Sequence, residues 1–386
     1  MVQLLGAGHF STLKKWSIIT VSILIISLTA IVIHNQTLPT SSPEAAKLST
    51  AEQTRLEEIS HLRESLGNNI WPGWGDMQIP IVVYNESHAF LIGLSEPADG
   101  WIRMPHGDIE GSAWQTIAPH GYYRQALPAS GENPQAFIVK IGETYAASMT
   151  TKDWTGIHLM EITQAALPAF ISPFVPYALV INQFNSDWYV AAVLHESFHV
   201  LQAEQSFQRL ADAESANALE KDYPWDDSDF RLAWSTERQL LAETLEGNID
   251  DDQLRVIVAE WLSVRADRRK DLSDDLIAYE QEREWLEGLA KYAELQSWLL
   301  ADTSSDYSPL PAMADLPDFD GYQKAEAHWK QEVNQLKRNL QFDDTVFYYT
   351  GWAQAEILDR LMPGWKTIAF ESGVYLDALI AENLVQ

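Results

Sequence analysis

Two histidines four positions apart, His195 and His199, with Glu196 directly after the first, stand in the run WYVAAVLHESFHVLQAEQSF, residues 188–207. A helix turns about 100° per residue, so positions i and i+4 share a face and this run predicts a helix aiming both imidazoles at one metal ion. Glu196 falls at the edge of that face. There a carboxylate can take a proton from a water activated by the metal without displacing a ligand. Val190, Val193, Leu194, Phe198 and Leu201 give the predicted helix an apolar back, while Ala192 and Gln202 flank the histidines with a small and a polar side chain. The competing reading is a pair of structural histidines, and a third ligand separates the two.

A catalytic zinc site takes three protein ligands and keeps a fourth position open. The chain has no cysteine, which excludes disulfides and thiolate ligands and leaves histidine and carboxylate as donors. Glu287, in WLEGLAKY on a helix expected over Asp274 to Leu300 and capped by Ser273, is the expected third ligand. Its neighbours Glu280, Glu284, Lys291 and Glu294 read mostly as a solvated face. Gly288 sets Glu287 apart, because glycine inside a helix costs about 1 kcal/mol relative to alanine and persists where another helix comes close.

HESFH followed by EGLAKY resembles the gluzincin metallopeptidases, the thermolysin-like and aminopeptidase-like group in which a glutamate on a later helix completes the motif. The resemblance covers Ala178 to Leu300. It implies that His195, His199 and Glu287 hold zinc, that Glu196 is the general base, and that a strand over Ala178 to Phe184 aligns an extended peptide. About ninety residues separate the motif from Glu287, more than in thermolysin-like enzymes, and Glu243, Glu237 and Glu294 stand in reserve as ligands. The metzincin continuation is absent, since VLQAEQSF follows the motif. An oxyanion donor is expected too, from Tyr348, Tyr349, Tyr292 or His328.

The elements that position these residues follow from patterning. At 386 residues with 46% hydrophobic side chains the chain can bury a large core. A formal charge of −29, with no basic stripe beyond the N-terminus, disfavours a nucleic-acid partner, and none is expected. Acidic groups such as Asp226-Asp227 and Asp250-Asp251-Asp252 read as solvated surface rather than calcium sites. Trp16 to Ile33 is an eighteen-residue apolar run behind Lys14 and Lys15. It is expected to be a retained transmembrane helix with a cytoplasmic N-terminus and an extracytoplasmic catalytic domain, in preference to a cleaved signal peptide.

The expected fold is α+β: a cytoplasmic N-terminus over 1–13, a membrane anchor over 14–34, a stalk and first helix over 35–68, a sheet-rich part over 69–184 and a helical part over 185–386. IPIVVYN, AFLIGL and QAFIVKI read as strands, in a sheet reaching to about Thr151. Asp229 to Leu245 and Asp251 to Arg268 read as helices, with two more after a loop over Ser304 to Gly321 that is either a lid or a surface crossover.

The expected function is therefore a membrane-anchored zinc-dependent peptidase acting on a peptide or protein substrate. Two alternatives compete with it. One is a di-iron carboxylate protein using Glu58/His61 and Glu196/His199, both Glu-x-x-His pairs. The other is a non-catalytic zincin-like ectodomain that binds or scaffolds.

Overall fold

The computed structural model describes residues 26–95, 100–104, 121–128, 136–247, 249–338 and 343–384. After a helical stretch at residues 26–35 (α1) comes α2 (Thr50–Ile70), whose N-cap Ser49 accepts a hydrogen bond from the Glu52 amide. The Pro- and Gly-bearing WPGWG that follows ends it, with Gly73 at φ 83°. Six strands form one sheet: β1 (Ile81–Tyr84), β2 (His88–Ile92), β3 (Ile102–Met104), β4 (Tyr122–Ala126), β5 (Phe137–Ile141) and β6 (Thr144–Thr150), in the order β3-β4-β2-β1-β6-β5. Only β1 and β6 pair in parallel, with Ile81 opposite Ala147; the other pairings are antiparallel. β5 is therefore an edge strand.

Alternation along β1 divides the cores. Ile81 and Val83 join the main core, which also holds Leu56, Leu62, Val190, Phe198, Trp285 and Leu289, whereas Val82 and Tyr84 face a smaller cluster on the other side. The helices after the sheet are α3 (Lys152–Ala166), α4 (Tyr177–Gln183), α5 (Ser186–Ala216), α6 (Ser228–Leu245), α7 (Asp251–Arg269), α8 (Asp274–Arg283), α9 (Leu289–Thr303), α10 (Pro311–Ala314), α11 (Ala325–Arg338), α12 (Thr345–Leu361) and α13 (Leu376–Leu384). A π-helical turn, Glu284–Gly288, joins α8 to α9. The motif helix α5 thus lies between the sheet and the α9–α12 layer.

The α+β class stands, but its N-terminal membrane helix is corrected. No helix among the described residues is long and apolar enough to cross a membrane. The described part of the expected span is residues 26–35, which at 1.5 Å per residue cover about 15 Å against a hydrocarbon core of about 30 Å. Residues 16–25, Lys14 and Lys15 lie outside the described residues. A second correction concerns Ala178 to Phe184, which falls on α4 and not on a strand. A short continuous apolar run looks alike in either form, and here Pro176 precedes a helical turn. The strands that do lie beside the motif helix are β6 and, at the edge of the sheet, β5.

The segment Ser304 to Gly321 is a pinned crossover. It contains α10, the Tyr307 hydroxyl donates to Glu58, and Asp318 bonds Ser186 and pairs with Arg55 and Lys152.

Candidate metal centre

Helix α5 begins where Asn185 caps it, accepting from the Trp188 amide at 3.0 Å, and where the Asp187 carboxylate takes the amides of Asp320 and Tyr322. Its apolar back is wholly buried, with Phe198 edge-on to Trp71 and Trp74 at centroid distances of 5.2 and 5.5 Å. This packing fixes the rotation of the helix and turns His195 and His199 toward α9 and the π turn.

There the third carboxylate arrives. Glu287 Oε2 lies 3.3 Å from His195 Nε2 and 3.4 Å from His199 Nε2. Among the described residues His195, His199 and Glu287 form the one group of His, Asp and Glu with ligand atoms close enough to share an ion, all within 4.8 Å of one another. The three side chains are buried.

The opposite ring nitrogens are engaged as well. His199 Nδ1 is 2.7 Å from Gln202 Oε1, and the Gln202 amide nitrogen donates to the Trp285 and Leu286 carbonyls at 2.9 and 3.1 Å. Those two acceptors fix which end of the amide is oxygen, so His199 Nδ1 carries the proton and donates it. In the neutral ring, Nε2 then presents a lone pair to a carboxylate oxygen. His195 Nδ1 faces Glu294 Oε2 at 3.3 Å, and Lys291 holds that glutamate at 2.7 Å while pairing with Glu332 at 2.9 Å. Burial opposes a charge on His195, but Glu287 and Glu294 beside its two nitrogens outweigh it and raise the ring to about 10, so the point where both Nε2 atoms and Glu287 Oε2 converge attracts a cation, either a proton or a metal ion. The donor set therefore fits a divalent metal, with Glu294 and Gln202 beside the far nitrogens of the imidazoles.

Burial pushes the Glu196 carboxyl up from its ordinary range, opposed by the adjacent His195 and His199. Burial also works against ionisation of Glu287, but His199, His195 and Arg283 outweigh it and hold the carboxyl well below its usual range. Arg283 Nη2 reaches Glu287 Oε1 at 3.1 Å and Asp344 at 2.8 Å. Around the cluster, the Tyr348 ring stacks on His195 at 5.7 Å and 10°, and Phe137 of the edge strand lies 4.7 Å from the His199 ring. Burial, together with the charge on Glu287, keeps the Tyr348 hydroxyl protonated. Tyr84 is pushed up to about 12 by burial and by the charge on Glu196.

The other expected residues fall elsewhere. Glu243 is exposed, Glu237 is locked between Arg265 and Arg268, and Glu294 faces the far nitrogen of His195. Of the oxyanion candidates Tyr348 is at the site. Tyr292 is bonded to Asp359 and Lys366, His328 stacks on Trp298 at 4.1 Å, and Tyr349 lies over Lys291. The di-iron pairing is not assembled: Glu58 accepts from Tyr307 and the Leu310 amide, and His61 bonds the Ser308 carbonyl. Sequence reasoning missed Arg283, Phe137 and Tyr84. Arg283 had a signal, standing one helical turn before Glu287; the other two come from strands whose register the sequence does not specify. Comparison with protein-family models, with curated proteins and with solved structures finds no match to this chain.

Proposed function

We propose that this protein is a zinc-dependent hydrolase that cleaves peptide bonds, with His195, His199 and Glu287 as ligands and Glu196 as general base. The observation that carries the reading is the convergence of both Nε2 atoms and Glu287 Oε2 on one point while Gln202 and Glu294 engage the opposite ring nitrogens. A zinc ion bound there supplies Lewis-acid charge that makes water acidic and polarises a carbonyl.

The protein's own groups would do the rest. Among the described residues no hydrogen bond holds the Glu196 carboxylate, which leaves it free to accept a proton from the attacking water and pass it to the leaving amine. The Tyr348 hydroxyl, kept protonated beside His195, is a donor for the oxygen that gains charge as the carbonyl is attacked. Edge strand β5 bonds β6 on one side, and among the described residues no strand pairs with its other edge, along which an extended chain could pass Phe137 and His199. A backbone paired in this way is a peptide, which favours peptide over other amides.

The test compares wild type with Glu196→Gln and Glu287→Gln in zinc titration and in cleavage of a broad peptide library. Glu196→Gln should keep zinc and lose at least ~10²-fold in turnover, because it removes the proton acceptor alone. Glu287→Gln should lose zinc and turnover together. Wild type that binds zinc but cleaves nothing would favour a binding or scaffold role; full zinc in Glu287→Gln would sink the ligand set.

A further inference from the structure

The connection between β6 and α5 holds the longest stretch of this chain without a charged residue or a histidine. From Ile162 to Ser186 no residue is Asp, Glu, Lys, Arg or His, in a protein of formal charge −29. Burial does not explain this. Phe170 is 76% exposed, Leu179 61%, Ile162 53% and Phe174 46%. Six of the twelve strongly exposed large hydrophobic side chains among the described residues lie between Leu159 and Leu179. The segment is folded: α3 packs on α4 through Gly156, where an added Cβ would come within 3.2 Å of Ile181, and the Ser172 and Tyr177 hydroxyls bond at 2.6 Å.

A second apolar element is fastened to it. The Asn35 amide at the end of α1 donates to the Pro173 and Val175 carbonyls at 3.0 and 2.8 Å. Ile26 and Ile33 of that helix are 67% and 58% exposed, and in the sequence it continues an uncharged apolar run that begins at Trp16. Exposed apolar side chains thus stand on two elements that Asn35 joins.

We propose that the α3–α4 segment is a docking face for a lipid bilayer, resting on its surface with Phe170, Ile171, Phe174 and Leu179 in the boundary between headgroups and acyl chains. Charge selects the occupant. Moving a charged side chain out of water is costly, and this segment can enter a lipid boundary without moving one, whereas the acidic remainder of the chain is repelled by anionic headgroups. The polar groups between the apolar ones are Ser, Thr, Asn and Gln, which find partners at headgroup depth. A protein partner would call for aromatic anchors inside a rim of charged side chains, arginine above all; this stretch has the aromatics Phe170 and Phe174 but no charged residue of its own to rim them. The attachment is peripheral and independent of the metal centre.

The absence of cysteine makes the test direct. Phe174→Cys and Leu179→Cys, made singly in the full chain and labelled with an environment-sensitive dye, are mixed with phosphatidylcholine vesicles carrying doxyl-labelled lipid. Glu326→Cys is the control, since that side chain is 83% exposed on α11. Quenching of at least twofold at 174 and 179, with none at 326, is the expected result. Because the signal is local, attachment through another part of the chain does not imitate it. The triple variant Phe170→Ser, Phe174→Ser, Leu179→Ser, labelled at Ile162→Cys, should keep its circular dichroism spectrum and lose the quenching seen at that position without the serines. No quenching at 174 and 179 overturns the proposal, as does equal quenching at 326. Sedimentation without lipid provides the other arm: a dimer abolished by the triple variant, with no lipid quenching, assigns the face to a second copy of the chain.

Discussion

A histidine binds a metal through a lone pair, so the partner of its other nitrogen decides whether it is a ligand. In this protein that partner is Gln202 for His199 and Glu294 for His195. Gln202 Oε1 forces the proton onto Nδ1 of His199, and the charge on Glu294 makes His195 a stronger donor through Nε2. Glu294→Gln and Gln202→Leu should therefore each weaken zinc binding by about 10- to 100-fold while leaving all three ligands in place. Competition with a chromogenic chelator measures this, and an unchanged affinity in both variants would assign Glu294 and Gln202 to packing alone. The cluster of His195, His199 and Glu287 was legible because two of them sit at fixed helical spacing and the third precedes a glycine. Their supports were harder to read. Gln202 was seen as a polar flank because it lies one turn after Phe198 on the motif helix, but nothing in sequence shows that its amide would reach backbone carbonyls at 285 and 286.

At the scale of elements, the π turn decides where Glu287 points. A π turn holds about one residue more than an α turn, so the side-chain stripe after it is offset from the stripe before it. At the start of the turn Glu284 meets Arg265 and the Thr350 hydroxyl at 3.0 and 2.7 Å; near its end Glu287 faces the α5 histidines, and beyond it Lys291 bonds Glu294, which faces His195. Gly288 makes room for this arrangement, since an added Cβ would lie 2.4 Å from the Gly351 Cα of α12. Close approach was the right reading of that glycine, although the helix that approaches is α12 and not the motif helix. Gly288→Ala should cost about 1 to 3 kcal/mol of stability through overpacking and should lower zinc affinity as Glu287 shifts. Denaturant unfolding of the metal-free protein separates the two effects; unaltered stability would mean that the helices part without strain. The long helices could be read from their apolar periodicity, and the structure shows their caps: Asn185, Asp227, Asp250 and Ser273 each accept a hydrogen bond from the first turn that follows. The sheet was read only in part. β3 has three residues and two of them are exposed, and β6 carries Ala146, Ala147 and Ser148 where β-branched residues would have signalled a strand.

Across the whole molecule, an excess of acid is organised around three arginines. Arg265, Arg268 and Arg269 meet Glu237, Glu280, Glu284 and Asp377 in a buried network, with Arg268 bonding Glu237 at 2.7 Å and Glu280 at 2.5 Å. The network joins α6, α7, α8, the π turn and α13, and through Glu284 it reaches the turn that presents Glu287. Removing one partner would leave a buried charge unpaired, which typically costs about 3 to 5 kcal/mol. The same network predicts how stability responds to acid. Burial alone would raise the Asp377 carboxyl, but Arg265 and Arg269 outweigh it and bring the group down to about 2 from its ordinary 3.8. A folded-state value below the unfolded one stabilises the protein fully above about pH 4, and that stabilisation is lost as the pH falls toward 2. At 1.36 kcal/mol per unit the contribution is about 2 kcal/mol, of which about 1 kcal/mol is gone by pH 3. Asp377→Asn cannot lose what it lacks. Urea unfolding of wild type and Asp377→Asn, measured at pH 6, 4 and 3, should show the stability gap constant from 6 to just above 4 and narrower by about 1 kcal/mol at pH 3. A gap that does not change over this range would show that Asp377 ionises in the folded protein as it does in the unfolded chain, and that the arginines are neutralised by Glu237, Glu280 and Glu284 without it.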